Sequence, residues 1–267
     1  MRPGERVLIT GGSGGIGSEI ALACAARGAW PIVGFCTQGE RARNVVDRCG
    51  RGETHRIDLR SALEEAPSVE AIIHCAAAFS PERTLLTASD DVIEDLLAVN
   101  LLGPVRLTRA VQRASNRLKR VLFILSSASF CRGTGPYALS KAAELAVCRL
   151  LANELSPAGI RVDAVVPGWT NTDMAERAAR ASGRSLEQIA HEHPEGVLLE
   201  PREIAELCGD LLFDHSDAPP GKLIVWDYRD GPEPVWHDIN PMTVATDLPL
   251  VYMRQRIRVK SRSAFPG

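Results

Sequence analysis

Lysine is scarce in this 267-residue chain: Lys119, Lys141, Lys222 and Lys260 stand against 27 arginines, so chemistry that needs an ammonium has few places to happen. Aromatic residues make up only 5% of the sequence, with 3 tyrosines among them. No apolar run approaches the roughly 18–20 residues that a membrane span requires. The apolar stretch after Met1-Arg-Pro-Gly-Glu-Arg6 is also too short for the core of a secretory signal. Charge of one sign is lacking too: 31 basic and 33 acidic residues leave a formal net charge of −2, which argues against a binder of nucleic-acid phosphates. The 7 cysteines are odd in number and contain no Cys-x-x-Cys pair, which excludes a zinc-finger pattern, predicts no metal site and makes a disulfide framework unsuitable. They read as free, buried thiols of a cytoplasmic protein. Repeats and low-complexity linkers are absent.

What is present is a soluble globular composition, 45% hydrophobic and 24% charged, long enough for one large domain. Short apolar runs at Arg6–Thr10, Trp30–Phe35, Ala71–Cys75, Val121–Leu125, Arg161–Val166 and Leu223–Trp226, with Thr54–Asp58 as the third in order, read as seven strands. Helical periodicity fills Ile16–Arg27, Arg41–Cys49, Asp90–Arg117, Tyr137–Leu155 and Arg202–Phe213 between them. Strands apolar throughout and alternating with helices predict an α/β fold, a parallel sheet covered on both faces. The pattern fades near residue 230. Residues 1–230 read as one domain with a substrate lid at about 172–201, and residues 231–267 as an extension that packs on its own or a partner subunit. Within that extension, Gly231–Trp236 has the composition of a loop.

Three features carry chemistry. Thr10-Gly11-Gly12-Ser13-Gly14-Gly15-Ile16-Gly17 joins the first strand to the first helix, where a glycine turn and free helix N–H groups suit a pyrophosphate. Tyr137-Ala-Leu-Ser-Lys141 puts a phenol and an ammonium four residues apart, hence on one helical face, and the ammonium favours the phenolate. Alone, the pair would also suit a solvated surface. Ser126 and Ser127 follow the fifth strand, at the end where open α/β sheets bind ligands.

Together with Asn100 in Ala98-Val-Asn100 and Pro167-Gly-Trp-Thr-Asn-Thr172, these motifs resemble the single-domain branch of the short-chain dehydrogenase/reductases, from about Arg6 to Asp227 in the family's order. The resemblance implies a seven-stranded, doubly wound Rossmann sheet and hydride transfer between a nicotinamide and a carbonyl or secondary alcohol. Tyr137 would be the general acid/base and Lys141 would lower its pKa and bind the nicotinamide ribose. Ser127 would hold the substrate oxygen, and Asn100 would anchor a relay water. Cofactor contacts would come from Thr10, Gly11, Ser13, Gly15, Ile16, Gly17, Asp58, Leu59, Ala76, Ala77, Lys141, Val166, Pro167, Gly168, Thr170 and Thr172.

The departures are also plain. His74-Cys-Ala-Ala77 stands where the family has Asn-Asn-Ala-Gly, and Asp227-Tyr-Arg-Asp-Gly231 replaces a terminal Asp-Gly-Gly. The interval from Ser127 to Tyr137 is short, leaving Ser126 and Ser129 as alternative hydroxyls.

The second strand ends without an acidic residue before Glu40, whereas Thr37, Arg41 and Arg43 suit a 2′-phosphate, so NADP(H) is preferred over NAD(H). Phe130, Trp169 and Met174 predict an apolar pocket for a cyclic or acyl ketone. His191 and His193 read as lid residues. The reading is thus an NADPH-dependent ketone reductase acting on a small carbonyl substrate, with NAD-dependent alcohol oxidation and a catalytically silent nucleotide sensor or scaffold as alternatives. Helix Tyr137–Leu155, apolar nearly all round, predicts a homodimer or homotetramer. The basic stretch Met253–Arg262 reads as an arm on a partner subunit or over the cleft, with no nucleic acid or membrane as partner.

Overall fold

The computed structural model describes residues 1–63, 65–130, 135–192, 198–213, 221–226 and 235–238. Eight strands form one sheet in the order β3-β2-β1-β4-β5-β6-β7-β8. They are β1 (Arg6–Ile9), β2 (Trp30–Phe35), β3 (Glu53–Arg56), β4 (Ala71–His74), β5 (Arg120–Ile124), β6 (Arg161–Pro167), β7 (Lys222–Trp226) and β8 (Val235–Asp238). The first seven pair in parallel. This is the predicted doubly wound sheet.

The eighth strand corrects the loop reading of Gly231–Trp236 at its last two residues, Val235 and Trp236; residues 231–234 lie outside the described residues. β8 pairs antiparallel with β7, Leu223 opposite His237 and Val225 opposite Val235. Pro232 and Pro234 give this stretch the composition of a loop in sequence. The rest of the extension, including Met253–Arg262, lies outside the described residues.

The sheet's core divides by the period-two geometry of a strand. Val7 and Ile9 face one side with Ile73, Leu122, Ile124 and Val165, against α1 (Gly15–Ala26), α2 (Gly39–Cys49) and α8 (Pro201–Phe213). Leu8, Ile72, Val121, Phe123 and Val166 face the other, against the long helices α4 (Gly103–Ala114) and α5 (Gly135–Leu155).

The single helix read over Asp90–Arg117 is interrupted. α3 (Asp90–Leu97) passes into a π-helical turn, Ala98–Leu102, before α4, and α4 stops at Ala114. In an α-helix, the carbonyl of Asn100 would accept from residue 104, but Pro104 has no N–H. The turn widens, and the Gly103 N–H reaches back five residues to the Ala98 carbonyl.

Two short helices, α6 (Asp173–Ala181) and α7 (Leu186–His191), follow β6 in the predicted lid region. Thr172 caps α6 through its hydroxyl, and a Ser185–Gln188 capping box starts α7. No described helix is long and apolar enough to cross a membrane. Of the described cysteines, Cys24, Cys148 and Cys208 are buried and Cys36, Cys49 and Cys75 are half-buried residues, although the Cys75 thiol itself points inward; at Cys36 and Cys49 burial is less complete than the sequence predicts.

Candidate active site

The glycine turn between β1 and α1 is shaped by close backbone approach. Gly11 has φ +63°, and a Cβ there would stand 2.8 Å from Cα of Ala76. A Cβ on Gly17 would stand 2.3 Å from the carbonyl oxygen of Gly11. No side chain caps α1 and no acidic residue sits in its first turn, so no carboxylate opposes an anion at the positive end of its dipole.

Thr10 fixes this turn to the strand beside it. Its hydroxyl oxygen accepts from the N–H groups of Cys75 at 3.0 Å and Ala76 at 3.1 Å, and the hydroxyl is 3.3 Å from the Ile73 carbonyl. His74 plays no part in the turn: it is buried in the sheet, its Nε2 3.0 Å from the Thr108 hydroxyl and its ring 4.7 Å from that of Phe123. Burial depresses its pKa to about 3, so the ring is neutral.

Two cavities flank the turn. The smaller, of about 160 Å3, is lined by Thr10, Gly11, Ser13, Asp58, Leu59, Ala76 and Ala77 of the predicted cofactor contacts. Arg60, which the sequence reading missed, lines it as well and is anchored by Asp95 at 2.5 Å. Thr37 and Arg41 are exposed and are not among its lining residues; Arg41 instead reaches Asp173 at 3.5 Å.

The larger cleft, of about 440 Å3, is lined by Ile16, Ser126, Ser127, Tyr137, Pro167, Gly168, Thr170 and Thr172. Trp169 and Met174 line it too, as expected, together with Phe79, whose ring meets that of Tyr137 edge-on at 5.3 Å. Phe130 does not line it; it packs behind, against the α4/α5 side of the core. Ser129 is also turned inward and buried, whereas Ser126 and Ser127 face the cleft. His191 is exposed and bonds the Glu187 carbonyl at 2.7 Å; His193 lies outside the described residues.

Behind Tyr137, α5 carries polar groups into the interior. Lys141 is 2% exposed, and its Nζ donates to the Ile124 carbonyl at 3.2 Å and to Glu144 Oε2 at 2.6 Å. Burial works against that ammonium, but the Glu144 carboxylate and the Tyr137 oxygen outweigh it and hold its pKa above the ordinary lysine value.

Asn100 is fully buried in the π turn. Its Oδ1 accepts from Ala78 N at 2.7 Å, and its Nδ2 donates to the Ala78 carbonyl at 3.0 Å and the Ser140 hydroxyl at 2.9 Å. Ser140 in turn donates to the Tyr137 carbonyl at 2.8 Å. Asn100 therefore ties the loop after β4 to the first turns of α5, and both of its amide donors are committed.

A family model described as enoyl-(acyl carrier protein) reductase matches residues 11–228. This chain is a short-chain dehydrogenase/reductase. As a member of that family it is an oxidoreductase acting on CH–OH groups. Among curated short-chain dehydrogenase/reductases it is 31% identical over 236 residues to a 3-oxoacyl-(acyl-carrier-protein) reductase, FabG, of Salmonella typhimurium, covering 83% of this chain and 95% of that protein. It is 30% identical over 247 residues to the short-chain reductase NovJ of Streptomyces niveus, covering 85% and 93%. A short-chain dehydrogenase of Burkholderia cenocepacia, solved in complex with NADP, superposes with a TM-score of 0.72 at 26% identity over 85% of this chain and 97% of that one.

Proposed function

We propose that the protein reduces a ketone, cyclic or acyl, to a secondary alcohol with NADPH, using Tyr137 as general acid. The observation that carries this reading is the shared cleft: Tyr137 and Ser127 line it together with Ile16 of the glycine turn and the Pro167–Thr172 segment after β6. The substrate oxygen would sit between the Ser127 hydroxyl and the Tyr137 phenol, both donating to it. The nicotinamide, when bound, supplies the hydride. As negative charge builds on the substrate oxygen, the phenol passes its proton across, and the Lys141 ammonium stabilises the phenolate left behind. Asn100 keeps the Ala78 wall and α5 in register, so that the phenol faces a preformed cleft.

The residues present fit the cofactor. A Cβ at Gly17 would collide with the Gly11 carbonyl, so glycine there lets α1 start hard against the turn that would cradle the pyrophosphate, and the small cavity beside Asp58 and Leu59 would take the adenine. NADPH is favoured over NADH by the lack of an acidic residue at the end of β2 and by Arg60, which lines the cavity beside it. The NADP carried by the Burkholderia relative supports the same choice. Leu139 and Leu150 of α5 are 41% and 59% exposed, an apolar outer face that supports a homodimer or homotetramer. Free thiols suit a reducing cytoplasm.

The test is NADPH oxidation over a panel of cyclic and β-keto carbonyls, comparing wild type with Tyr137→Phe. The variant is expected to lose turnover by a hundredfold or more, as for a general acid, while binding NADPH normally. Unchanged turnover would overturn the mechanism.

A further inference from the structure

Helix α5 holds one carboxylate inside the fold for which the reaction just described has no use. The side chains of Lys141 and Glu144 are 2% and 1% exposed, with Nζ and Oε2 2.6 Å apart. The other oxygen of Glu144, Oε1, is buried without a hydrogen-bond partner. Leaving a carboxylate oxygen dry and unpaired is costly, and packing alone would be served better by an apolar residue beside Leu145 and Cys148. Of the three N–H donors of an ammonium, Glu144 and the Ile124 carbonyl take two.

The other titratable groups facing this pair carry little charge. Cys75, from the loop after β4, is pushed by burial up to about 12, and Cys148 on α5 is raised further, so both thiols are neutral. Asp163 on β6, which acts on Cys148, is bound by Arg161 at 2.8 Å. Glu144 is the strongest opposite charge acting on Lys141.

We propose that Glu144 is a positioning residue: its carboxylate anchors the Lys141 ammonium and offsets part of the ammonium's pull on Tyr137, setting the pH at which the phenol yields its proton. This rests on Tyr137 being the acid/base. Glu144 lies seven residues beyond Tyr137, two helical turns or about 10 Å along α5. At an effective dielectric constant of about 20, a unit charge at that range moves a titration by about one pH unit.

The experiment uses the full chain with isotope-labelled tyrosine. The chain has 3 tyrosines, and Tyr137→Phe identifies the signal of Tyr137. In Glu144→Gln, the phenol-to-phenolate midpoint is expected to move down by about one pH unit, a tenfold gain in phenolate at fixed pH. Glu144→Asp keeps the charge and should stay near wild type, which a purely structural role would not predict. Should Glu144→Gln fail to fold, Glu144→Met must show the same downward shift. In wild type itself, the labelled Lys141 ammonium must show slow proton exchange and a hydrogen-bond coupling to the carboxylate.

A midpoint that is unmoved or raised in a folded neutral variant, or a rapidly exchanging Lys141 ammonium, overturns the inference. The acid/base reading fails separately, by retained ketone turnover in Tyr137→Phe.

Discussion

The buried ring of His74 makes the fold sensitive to acid in a way that can be worked out in advance. Its side chain lies in the sheet at 1% exposure, and its pKa is depressed from 6.5 to about 3 by burial. In the unfolded chain, the ring binds a proton near its ordinary value; in the folded chain it does not. The stability that comes from keeping it neutral is complete above the unfolded pKa of 6.5 and is lost as pH falls toward about 3. The whole difference is about 5 kcal/mol, and about 2 kcal/mol of it disappears between about pH 8 and pH 5.

Other groups titrate over the same range, so the measurement must be a difference. Urea unfolding of wild type and His74→Gln at about pH 8 and pH 5 isolates the ring, because glutamine retains a partner for the Thr108 hydroxyl but takes up no proton. The gap between the two proteins should change by about 2 kcal/mol in favour of the variant as pH falls. Parallel pH curves for the two proteins would refute the claim that burial keeps this histidine neutral.

Two further substitutions test the scaffold around the cleft. Asn100→Ala removes three hydrogen bonds and strands the N–H and C=O of Ala78; it should cost about 3 kcal/mol in denaturant unfolding. A cost below about 0.5 kcal/mol would mean that Ala78 and α5 are held together by other contacts. Gly17→Ala puts a methyl 2.3 Å from the Gly11 carbonyl oxygen and should weaken NADPH binding at least tenfold, measured by nucleotide fluorescence. Retained affinity would show that the turn does not hold the pyrophosphate.

The parallel sheet was legible because all of its parallel strands except the polar β3 at one edge are short apolar runs, and because helices recur between them. The glycine turn and Tyr137-x-x-x-Lys141 were legible because their spacing alone gives a cradle and a shared helical face. What escaped the reading depended on tertiary surroundings. The π turn had a local sign, Pro104 four residues after Asn100, but a proline near a helix start usually signals only a start. β8 was hidden because an edge strand needs only one partner and its flanking prolines look like a loop. Burial of Glu144 could not be read at all: an i, i+3 Lys–Glu pair is written identically on a solvated face and in a core. Arg60 rather than Arg41 lines the small cavity because the segment after β3, Ile57–Arg60, borders it together with the end of β2, a matter of chain path.

The antiparallel strand has a consequence for how the chain comes together. Every other pairing described in this sheet is parallel and requires a crossover, so its two strands meet only after a long segment has been placed. β7 and β8 pair antiparallel with only eight residues between them in the sequence, and such ribbons close on a timescale of about microseconds. As the polypeptide leaves the ribosome, β7 can therefore acquire a guarded flank before it docks on β6. An unpaired β7 would instead offer a row of free N–H and C=O groups to other nascent chains. A chain truncated before Val235 should accordingly aggregate more during refolding than the full-length chain does.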